Sequence, residues 1–370
     1  MIGPRATTFT PFSLERWFAA QPRATRCDLS LSGAPPLRLA QLLAIAAPSE
    51  REAFASISLG YGPAAGCSEL RRLVAQRQGV RPDDVLVTCG AIEALQCTVS
   101  ALVRAGDEVV VQRPMYPAVA GIARGLGATV VPWTLDAADA FRPRAGALAP
   151  LLSRRTRLVA ITQPNGPTGS VLDERELAAL VELLRPLGIW LVSDEVYRDL
   201  VLDADVVVPS AAGQYERAIS IGDVAKPFGL GGLRIGWLAA RDGEARDRIA
   251  ARRDYTTLSV PTPSEALAAI ALRHADALLA RPIRNARENL ASFAALATQD
   301  HHAVSFVPPT AGVTLFARVP RAATVQRRLA ADGVLVVPGA LFDDPDRLRI
   351  WLAGPPAEFD VALRHLATQL

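Results

Sequence analysis

Short apolar segments alternate with helical segments through the middle of this sequence, and the alternation constrains the fold more than any other feature. The apolar segments are rich in β-branched residues and lie at 108–111, 129–131, 158–162, 190–192, 219–221 and 234–238. Helical patterns separate several of them, as at 174–187. Strands that are apolar along nearly their whole length, with helices between them, are typical of a mostly parallel sheet covered on both faces. We therefore predict an α/β fold whose ligands bind beyond the carboxyl ends of the strands.

The two ends of the chain differ from this middle region. From about residue 266, long helices rich in Ala, Leu and Arg run to about residue 297. Strand candidates follow at 314–319, 334–337 and 349–352, and a helical pattern covers 358–370. This order predicts a smaller α+β domain. Because domain boundaries fall in exposed, Pro-rich segments, we expect residues 1–50 to form its N-terminal part, residues 51–265 the large domain, and residues 266–370 its C-terminal part.

Composition excludes several classes of protein. The 370 residues are 50% hydrophobic and 21% charged, which indicates a folded chain. The net charge of +3 is spread along the sequence without a basic run, so we expect no nucleic-acid and no membrane partner. Apolar runs stop before the ~18 residues of a membrane span, and the N-terminus lacks the apolar stretch of a signal peptide. The four cysteines show no CxxC spacing, which favours reduced structural thiols in a cytoplasmic protein and no metal site.

Lysine is almost absent from the chain. Of 40 Lys and Arg residues only Lys226 is a lysine, which leaves 40 − 1 = 39 arginines. Codon usage in a GC-rich genome accounts for the shortage, but not for the position of the one lysine that remains. Lys226 precedes a glycine-rich stretch and lies eight residues before Arg234. A partly desolvated lysine can form a Schiff base and a nearby arginine can bind phosphate; the alternative is a solvated loop lysine.

Two junctions between a strand and the following loop carry further candidates. At 88–93 (TCGAIE), a glycine at a helix start would let backbone N–H groups approach an anion, although any tight strand-to-helix turn gives the same pattern. At 193–197, Asp194 follows an apolar strand. Its carboxylate would pair with a buried cation, or would cap a helix or lie in a surface turn.

Together, these and other motifs resemble fold-type I enzymes that use pyridoxal phosphate (PLP), specifically the class I/II aminotransferases. The resemblance covers about 30–352, and its motifs occur in the family's order: Tyr61…Gly66…Leu70-Arg71, 88–95, Pro114-Met115-Tyr116, 164–169, 193–197, Lys226…Arg234, 333–342 and 348–350. It implies a mostly parallel seven-stranded sheet in the large domain beside the smaller α+β domain. It also implies PLP as cofactor, an amino acid and a 2-oxo acid as substrates, and a homodimer with shared active sites.

The resemblance implies a role for each matching residue. Lys226 would form a Schiff base with the cofactor and shuttle a proton, Asp194 would keep the pyridine nitrogen protonated, and Tyr197 would hydrogen-bond the ring oxygen. Further cofactor contacts would come from Gly90, Ala91, Ile92, Tyr116, Asn165 and Arg234 and, across the dimer, from Tyr61. Arg349 and Gly33 would bind the substrate α-carboxylate.

Two positions depart from the family pattern. Gly166 stands where the family has an asparagine that donates to the ring oxygen, which predicts a raised pKa of the Schiff base unless Asn165 substitutes. Asp223 stands three residues before the lysine, where the family has Ser, Thr or Gly near the phosphate. A carboxylate there must be rotated away or screened by a cation such as Arg234. The alternative is a surface-pointing aspartate in a slightly altered loop.

Stretches at 14–17, 253–259, 311–314 and 333–339 further resemble the capreomycidine synthase-like enzymes of guanidino amino acid biosynthesis. Glu15 is then a candidate to bind a guanidinium. The alternative is a solvated acid on the first helix. We predict an aminotransferase acting on an L-amino acid in specialised metabolism such as antibiotic biosynthesis, with arginine-derived, guanidino-bearing amino acids as candidate substrates. The alternative within PLP chemistry is a cyclase, dehydratase or oxidase of an arginine derivative. A ligand-sensing regulator or a nicotinamide-dependent oxidoreductase is disfavoured, because the sequence has no helix-turn-helix pattern and no GxGxxG after an early strand.

Overall fold

The order of strands and helices follows the predicted alternation. The computed structural model describes residues 9–21, 25–298 and 304–370. The strands are β1 (Cys27–Asp28), β2 (Val85–Thr88), β3 (Glu108–Arg113), β4 (Thr129–Thr134), β5 (Thr156–Thr162), β6 (Trp190–Asp194), β7 (Ala218–Asp223), β8 (Gly236–Ala240), β9 (Thr314–Arg318), β10 (Val334–Leu335), β11 (Val337–Pro338) and β12 (Arg347–Trp351). The α-helices are α1 (Ser13–Ala19), α2 (Leu39–Ile45), α3 (Pro48–Ala55), α4 (Ser68–Gln78), α5 (Gly90–Leu102), α6 (Ala118–Gly125), α7 (Ala145–Leu148), α8 (Glu174–Leu184), α9 (Ala211–Gln214), α10 (Ala225–Phe228), α11 (Gly243–Arg253), α12 (Thr262–Arg273), α13 (Ala275–Ala297), α14 (Ala322–Ala331) and α15 (Pro356–Gln369).

Seven strands form the larger sheet, in the order β2-β8-β7-β6-β5-β3-β4. The pairs from β7 to β4 are parallel, whereas β8 runs antiparallel to both of its neighbours. Successive residues of one strand pack into different apolar clusters. Val109 packs with α5 and α6 on one face, and Val110 packs with α8 on the other. A sheet covered on both faces explains why its strands are apolar along their length, and the predicted α/β fold class is confirmed.

Two smaller sheets involve the ends of the chain. One is antiparallel, in the order β11-β12-β9, and the other is the parallel pair of β1 and β10. The sequence predicted a single strand over 334–337, and this was wrong: β10 pairs with β1, and β11 pairs with β12. The predicted domain limits (1–50, 51–265 and 266–370) stay a prediction, and residues 1–8 and 22–24 of the first part lie outside the described residues.

Local backbone chemistry explains two further differences from the predicted elements. Helix α8 ends at Leu184 and not at residue 187, because Pro186 has no N–H for the helical ladder. Strand β8 begins at Gly236 and not at Arg234, since Arg234 has a left-handed backbone with φ of 53°. All four cysteines are free. In the described parts of the chain, no helix combines the length and apolar character needed to cross a membrane.

The carboxyl ends of β5, β6 and β7 meet at one edge of the large sheet. Thr162 ends β5 and lies in register with Asp194, which ends β6. Asp194 in turn lies beside Ile221 of β7, and Asp223 ends that strand two residues later. Lys226 follows directly in α10. The strand register therefore gathers polar residues from separate segments at the edge where the sequence predicts a ligand.

Candidate functional site

A cavity of about 450 Å³ lies at this edge of the sheet. Nine of the thirteen predicted site residues line it: Glu15, Ala91, Ile92, Tyr116, Asp194, Tyr197, Lys226, Arg234 and Arg349. Further wall residues that we had not predicted include Phe12, Phe18, Ser32, Thr314 and Phe342. Helix α1, the start of α5, the end of β6, helix α10 and strand β12 therefore all contribute side chains to one space.

The backbone of Lys226 is held from two sides. Asp223 Oδ1 accepts the N–H groups of Ala225 (3.1 Å) and Lys226 (3.0 Å), and Ala34 N–H donates to the Lys226 carbonyl at 2.7 Å. Gly33 packs against this peptide so closely that a Cβ there would lie 2.9 Å from Lys226 Cα. These contacts fix the backbone of Lys226 at the cavity.

The amine of Lys226 donates a hydrogen bond of 2.9 Å to Ser32 Oγ. Sequence reasoning missed Ser32, whose one signal was its place directly before Gly33. The interpretation of Lys226 as a solvated loop lysine is wrong, because its side chain is half-buried and lines the cavity.

Asp194 is buried, with 5% of its surface exposed. Burial, and then the negative charge of Asp223, raises the pKa of Asp194 to about 7. The interpretation as a surface turn is therefore wrong. A buried carboxylate with this pKa gains more from a cationic partner than an exposed one does.

Asp223 is buried as well, with 7% of its surface exposed, so a surface-pointing side chain is excluded. Burial raises its pKa, and the opposing contributions come from the Lys226 N–H group and from the charges of Lys226 and Arg234. Its Oδ1 accepts two backbone N–H groups of the following turn, which holds the carboxylate at the start of α10.

The start of α5 and Arg234 meet at one end of the cavity. Gly90, the first residue of α5, has φ of 78°, and a Cβ on it would lie 2.5 Å from Nη2 of Arg234. The guanidinium also contacts the carbonyl of Cys89 at 3.4 Å. Helix α5 has 13 residues, and its N-terminus points a positive dipole at the same place. Together the helix and Arg234 make this end suited to a phosphate dianion.

Helix α1 closes the opposite side of the cavity. Leu14 is buried, and the ring of Phe12 packs against that of Tyr116 with centroids 5.1 Å apart. The Tyr116 hydroxyl donates to Glu15 Oε1 at 2.8 Å. Burial and then the charge of Glu15 raise the pKa of Tyr116, so its hydroxyl stays protonated. Glu15 is half-buried and hydrogen-bonded to Tyr116, which favours a role at the cavity over a fully solvated acid.

Arg349 projects from β12 into the cavity wall. Its guanidinium lies between the rings of Phe18 and Phe342, at 5.8 Å and 5.4 Å from their centroids. One Nη donates to the Ser30 carbonyl, and Nε is buried with no hydrogen-bond partner among the residues that the structure describes. Burial lowers the pKa of Arg349 to about 10, which leaves it cationic at neutral pH. A buried cation with an unused donor fits a bound carboxylate.

The structure places three of the remaining predicted residues behind or away from the cavity. Asn165 lies behind the wall, where its Nδ2 donates to Gln112 Oε1 and to the Pro114 carbonyl, each at 2.9 Å, and its Oδ1 accepts from Thr168 at 2.8 Å. Asn165 therefore offers no unused group to replace the asparagine missing at 166. Gly33 contacts Lys226 as described, and Tyr61 is 96% exposed beside a separate pocket of about 520 Å³.

Known proteins share this architecture. A family model described as aminotransferase class I and II matches residues 36–366. Capreomycidine synthase of Streptomyces vinaceus is 35% identical over 375 residues, covering 100% of this chain and 95% of the relative. The arginine–pyruvate transaminase AruH of Pseudomonas aeruginosa is 34% identical over 202 residues, 52% of this chain and 51% of the relative. The solved structure of the PLP-dependent cyclase OrfR matches with a TM-score of 0.87 at 29% identity, covering 99% of this chain and 98% of that one.

The family model, capreomycidine synthase and OrfR each match nearly the whole chain. The predictions of a fold-type I architecture, of an enzyme and of PLP as cofactor are confirmed. The chain belongs to the aminotransferase class I and II family of PLP-dependent enzymes.

Proposed function

We propose that the enzyme acts on an L-amino acid with a cationic, guanidino-bearing side chain and transfers its amino group to a 2-oxo acid. The observation that carries this proposal is the position of Glu15. Its carboxylate lines the cavity, and among the described residues its hydrogen-bonding partner is the neutral hydroxyl of Tyr116. A guanidinium matches a carboxylate through its planar fork.

The cavity residues fit PLP. Lys226 is the only lysine in the sequence, so its side chain is the amine available to form a Schiff base. Asp194, with its pKa raised to about 7, suits a protonated pyridine nitrogen. Arg234 and the N-terminus of α5 suit the phosphate, and Tyr116 offers an aromatic ring at the wall. When bound, PLP supplies the electron sink that makes the Cα–H bond of an amino acid acidic.

Each residue then has a proposed task toward the substrate. Arg349 binds the α-carboxylate with its guanidinium and so fixes the orientation of Cα. Lys226 would accept the proton from Cα and, in transamination, deliver it to C4′ of the bound cofactor. Its amine must first leave Ser32 Oγ. The rings of Phe18 and Phe342 keep water from Arg349, which strengthens its interaction with the carboxylate.

Relatives support both the substrate class and a second candidate reaction. The name of AruH couples arginine with pyruvate, which favours transamination of an arginine-like substrate. Capreomycidine synthase matches the full chain, and OrfR is a PLP-dependent cyclase. They favour the alternative that the enzyme cyclises, dehydrates or oxidises an arginine derivative in the synthesis of a specialised metabolite.

Product analysis separates the two reactions. The PLP-loaded enzyme is incubated with L-arginine or a hydroxylated arginine, with and without pyruvate. Transamination yields the 2-oxo acid of the substrate and an equal amount of alanine. A cyclase yields an amino acid product whether or not pyruvate is present, and no 2-oxo acid. A dehydratase releases a 2-oxo acid and ammonia, and forms no alanine from pyruvate. Reaction with neutral amino acids alone would contradict the proposed substrate class.

We also propose a homodimer in which Tyr61 reaches the phosphate end of the partner's site. Exposed apolar side chains surround this region of the surface: Leu59, Tyr61, Tyr255 and Leu258. Tyr61→Phe should then weaken PLP binding without changing the mass of the assembly in solution. A monomer at the concentration of the assay would contradict this proposal.

A further inference from the structure

Gly166 and Tyr197 are in direct contact at the cavity wall. A Cβ built on Gly166 would lie 2.7 Å from Cε2 of Tyr197 and 3.5 Å from Cδ2 and Cζ. Carbon atoms that are not bonded to each other normally stay ~3.5 Å or more apart. The ring of Tyr197 thus occupies the space that a side chain at 166 would take.

The glycine is not required by its own backbone. Gly166 is absent from the residues with positive φ, so its φ does not require a glycine. The contact with Tyr197 is what excludes a side chain at this position.

The backbone around Gly166 is held in place by hydrogen bonds of its neighbours. Asn165 is tied to Gln112 and Pro114 by two hydrogen bonds of 2.9 Å. On the other flank, the Pro167 carbonyl accepts a hydrogen bond of 3.1 Å from buried Thr314. Because both neighbours of Gly166 are anchored, a new Cβ should push the Tyr197 ring and leave the loop in place.

Both residues line the cavity, so a displaced ring would carry the phenol hydroxyl to a different position there. We propose that Gly166 is a positioning residue: the missing side chain seats the ring of Tyr197 and sets where its hydroxyl meets the cofactor. This inference rests on the proposed contact of Tyr197 with the cofactor ring oxygen. It assigns Gly166 a steric function, beyond the loss of an asparagine donor.

The steric half of the proposal is tested without cofactor. Thermal unfolding of the cofactor-free protein is measured for Gly166→Ala, Tyr197→Ala and the double variant. Gly166→Ala should lower the unfolding midpoint by a few degrees when Tyr197 is present, and should have no such effect when Tyr197 is alanine. Gly121→Ala in α6 is the matched control, since its Cβ meets nothing within 4 Å. If the effects of the two substitutions on the unfolding midpoint are additive, the contact between Gly166 and Tyr197 does not position the ring, and the steric half of the proposal is wrong.

The positioning half is tested on the PLP-loaded protein by titrating its visible absorption against pH. Tyr197→Phe removes a donor to a developing negative charge and should raise the midpoint by about one pH unit. Gly166→Ala should also raise the midpoint of the titration. Combining Gly166→Ala with Tyr197→Phe should shift the midpoint no further than Tyr197→Phe alone. Gly121→Ala should leave it unchanged.

The two measurements distinguish a wrong positioning role of Gly166 from a wrong proposed function. Coupled stabilities with an unshifted midpoint in Gly166→Ala would show a merely structural contact and overturn the positioning role. A protein that takes up no PLP would overturn the proposed function, while the stability cycle would still report the contact.

Discussion

The hydroxyl of Tyr116 donates a hydrogen bond of 2.8 Å to Glu15, which joins helix α1 to the segment after β3 across the cavity. The pKa of Tyr116 is raised, so the hydroxyl stays a donor over the working pH range. The bond uses Oε1 of Glu15 and fixes the direction of its carboxylate. Glu15 is therefore held in place before a substrate arrives, which lowers the entropy that binding costs.

Glu15→Gln should impair binding of a guanidino amino acid specifically. The amide still accepts from Tyr116 but loses the charge, and a hydrogen bond between charged groups contributes about 1.5–3 kcal/mol. We expect KM for L-arginine or its derivative to rise about 10- to 100-fold, and KM for a neutral amino acid to change little. Steady-state kinetics with both substrates measures this, with Glu52→Gln on the exposed face of α3 as control. An equal rise for both substrates would refute a role in side-chain recognition.

Asp223→Asn should lower the pKa of Asp194 while keeping Lys226 in place. An asparagine Oδ1 still accepts the two N–H groups that Asp223 accepts, but its negative charge is gone. A carboxyl whose pKa is raised by folding stabilises the cofactor-free protein at low pH, and that stability is lost as the pH rises. For Asp194 the loss extends from about pH 4, the ordinary aspartate pKa, to about pH 7.

Thermal unfolding of the cofactor-free protein at pH 5 and pH 7.5 measures this effect. Asp223→Asn should raise the unfolding midpoint more at pH 7.5 than at pH 5, because it removes a repulsion that exists when both acids are ionised. Asp223→Ala is the comparison, since it also removes the acceptor for the Lys226 N–H. A uniform shift at both pH values in Asp223→Asn would mean that the two carboxylates are not coupled.

The sequence predicts most of the large sheet because its strands are apolar runs bounded by turns. Strands β3, β4 and β6 begin at the predicted residues 108, 129 and 190. The run 334–337 was read wrongly because a local pattern does not show that its two halves pair with different strands. Arg234 was placed in a strand by its apolar neighbours, although its backbone is left-handed.

The resemblance to the aminotransferase family placed Lys226, Asp194 and Arg349 in one site, and all three line the cavity. Local sequence patterns do not predict contacts between segments that are far apart in the chain. The bond from Lys226 to Ser32 joins residues 194 positions apart. The sequence predicts Asn165 as a cofactor contact, but its amide donates a hydrogen bond to Gln112, 53 positions away. The contact between Gly166 and Tyr197 is of the same kind.

Lys226→Ala should abolish the visible band of the PLP-loaded protein. The sequence contains no other lysine, and a guanidinium does not replace the amine because it stays protonated at working pH. Loss of the proton-transferring group should lower kcat about 10²- to 10⁴-fold or more. Absorbance spectra before and after addition of PLP measure the first effect. Ser32→Ala is the control, which should keep the band because it removes a partner of the amine and not the amine. A band that persists in Lys226→Ala would contradict the site.

Arg349→Lys should lower kcat/KM while leaving the fold intact. Lysine keeps the positive charge but lacks the planar fork that binds a carboxylate through two parallel hydrogen bonds, and it stacks less well between Phe18 and Phe342. We expect a fall of about 10- to 100-fold for every amino acid substrate, since the α-carboxylate is common to all of them. Arg347→Lys on the same strand is the matched control: Arg347 bonds Asp344 and the Phe316 carbonyl and is not part of the cavity wall. That variant should lower the unfolding midpoint and leave KM unchanged. If instead the two variants changed KM equally, Arg349 would act through the strand and not through the substrate.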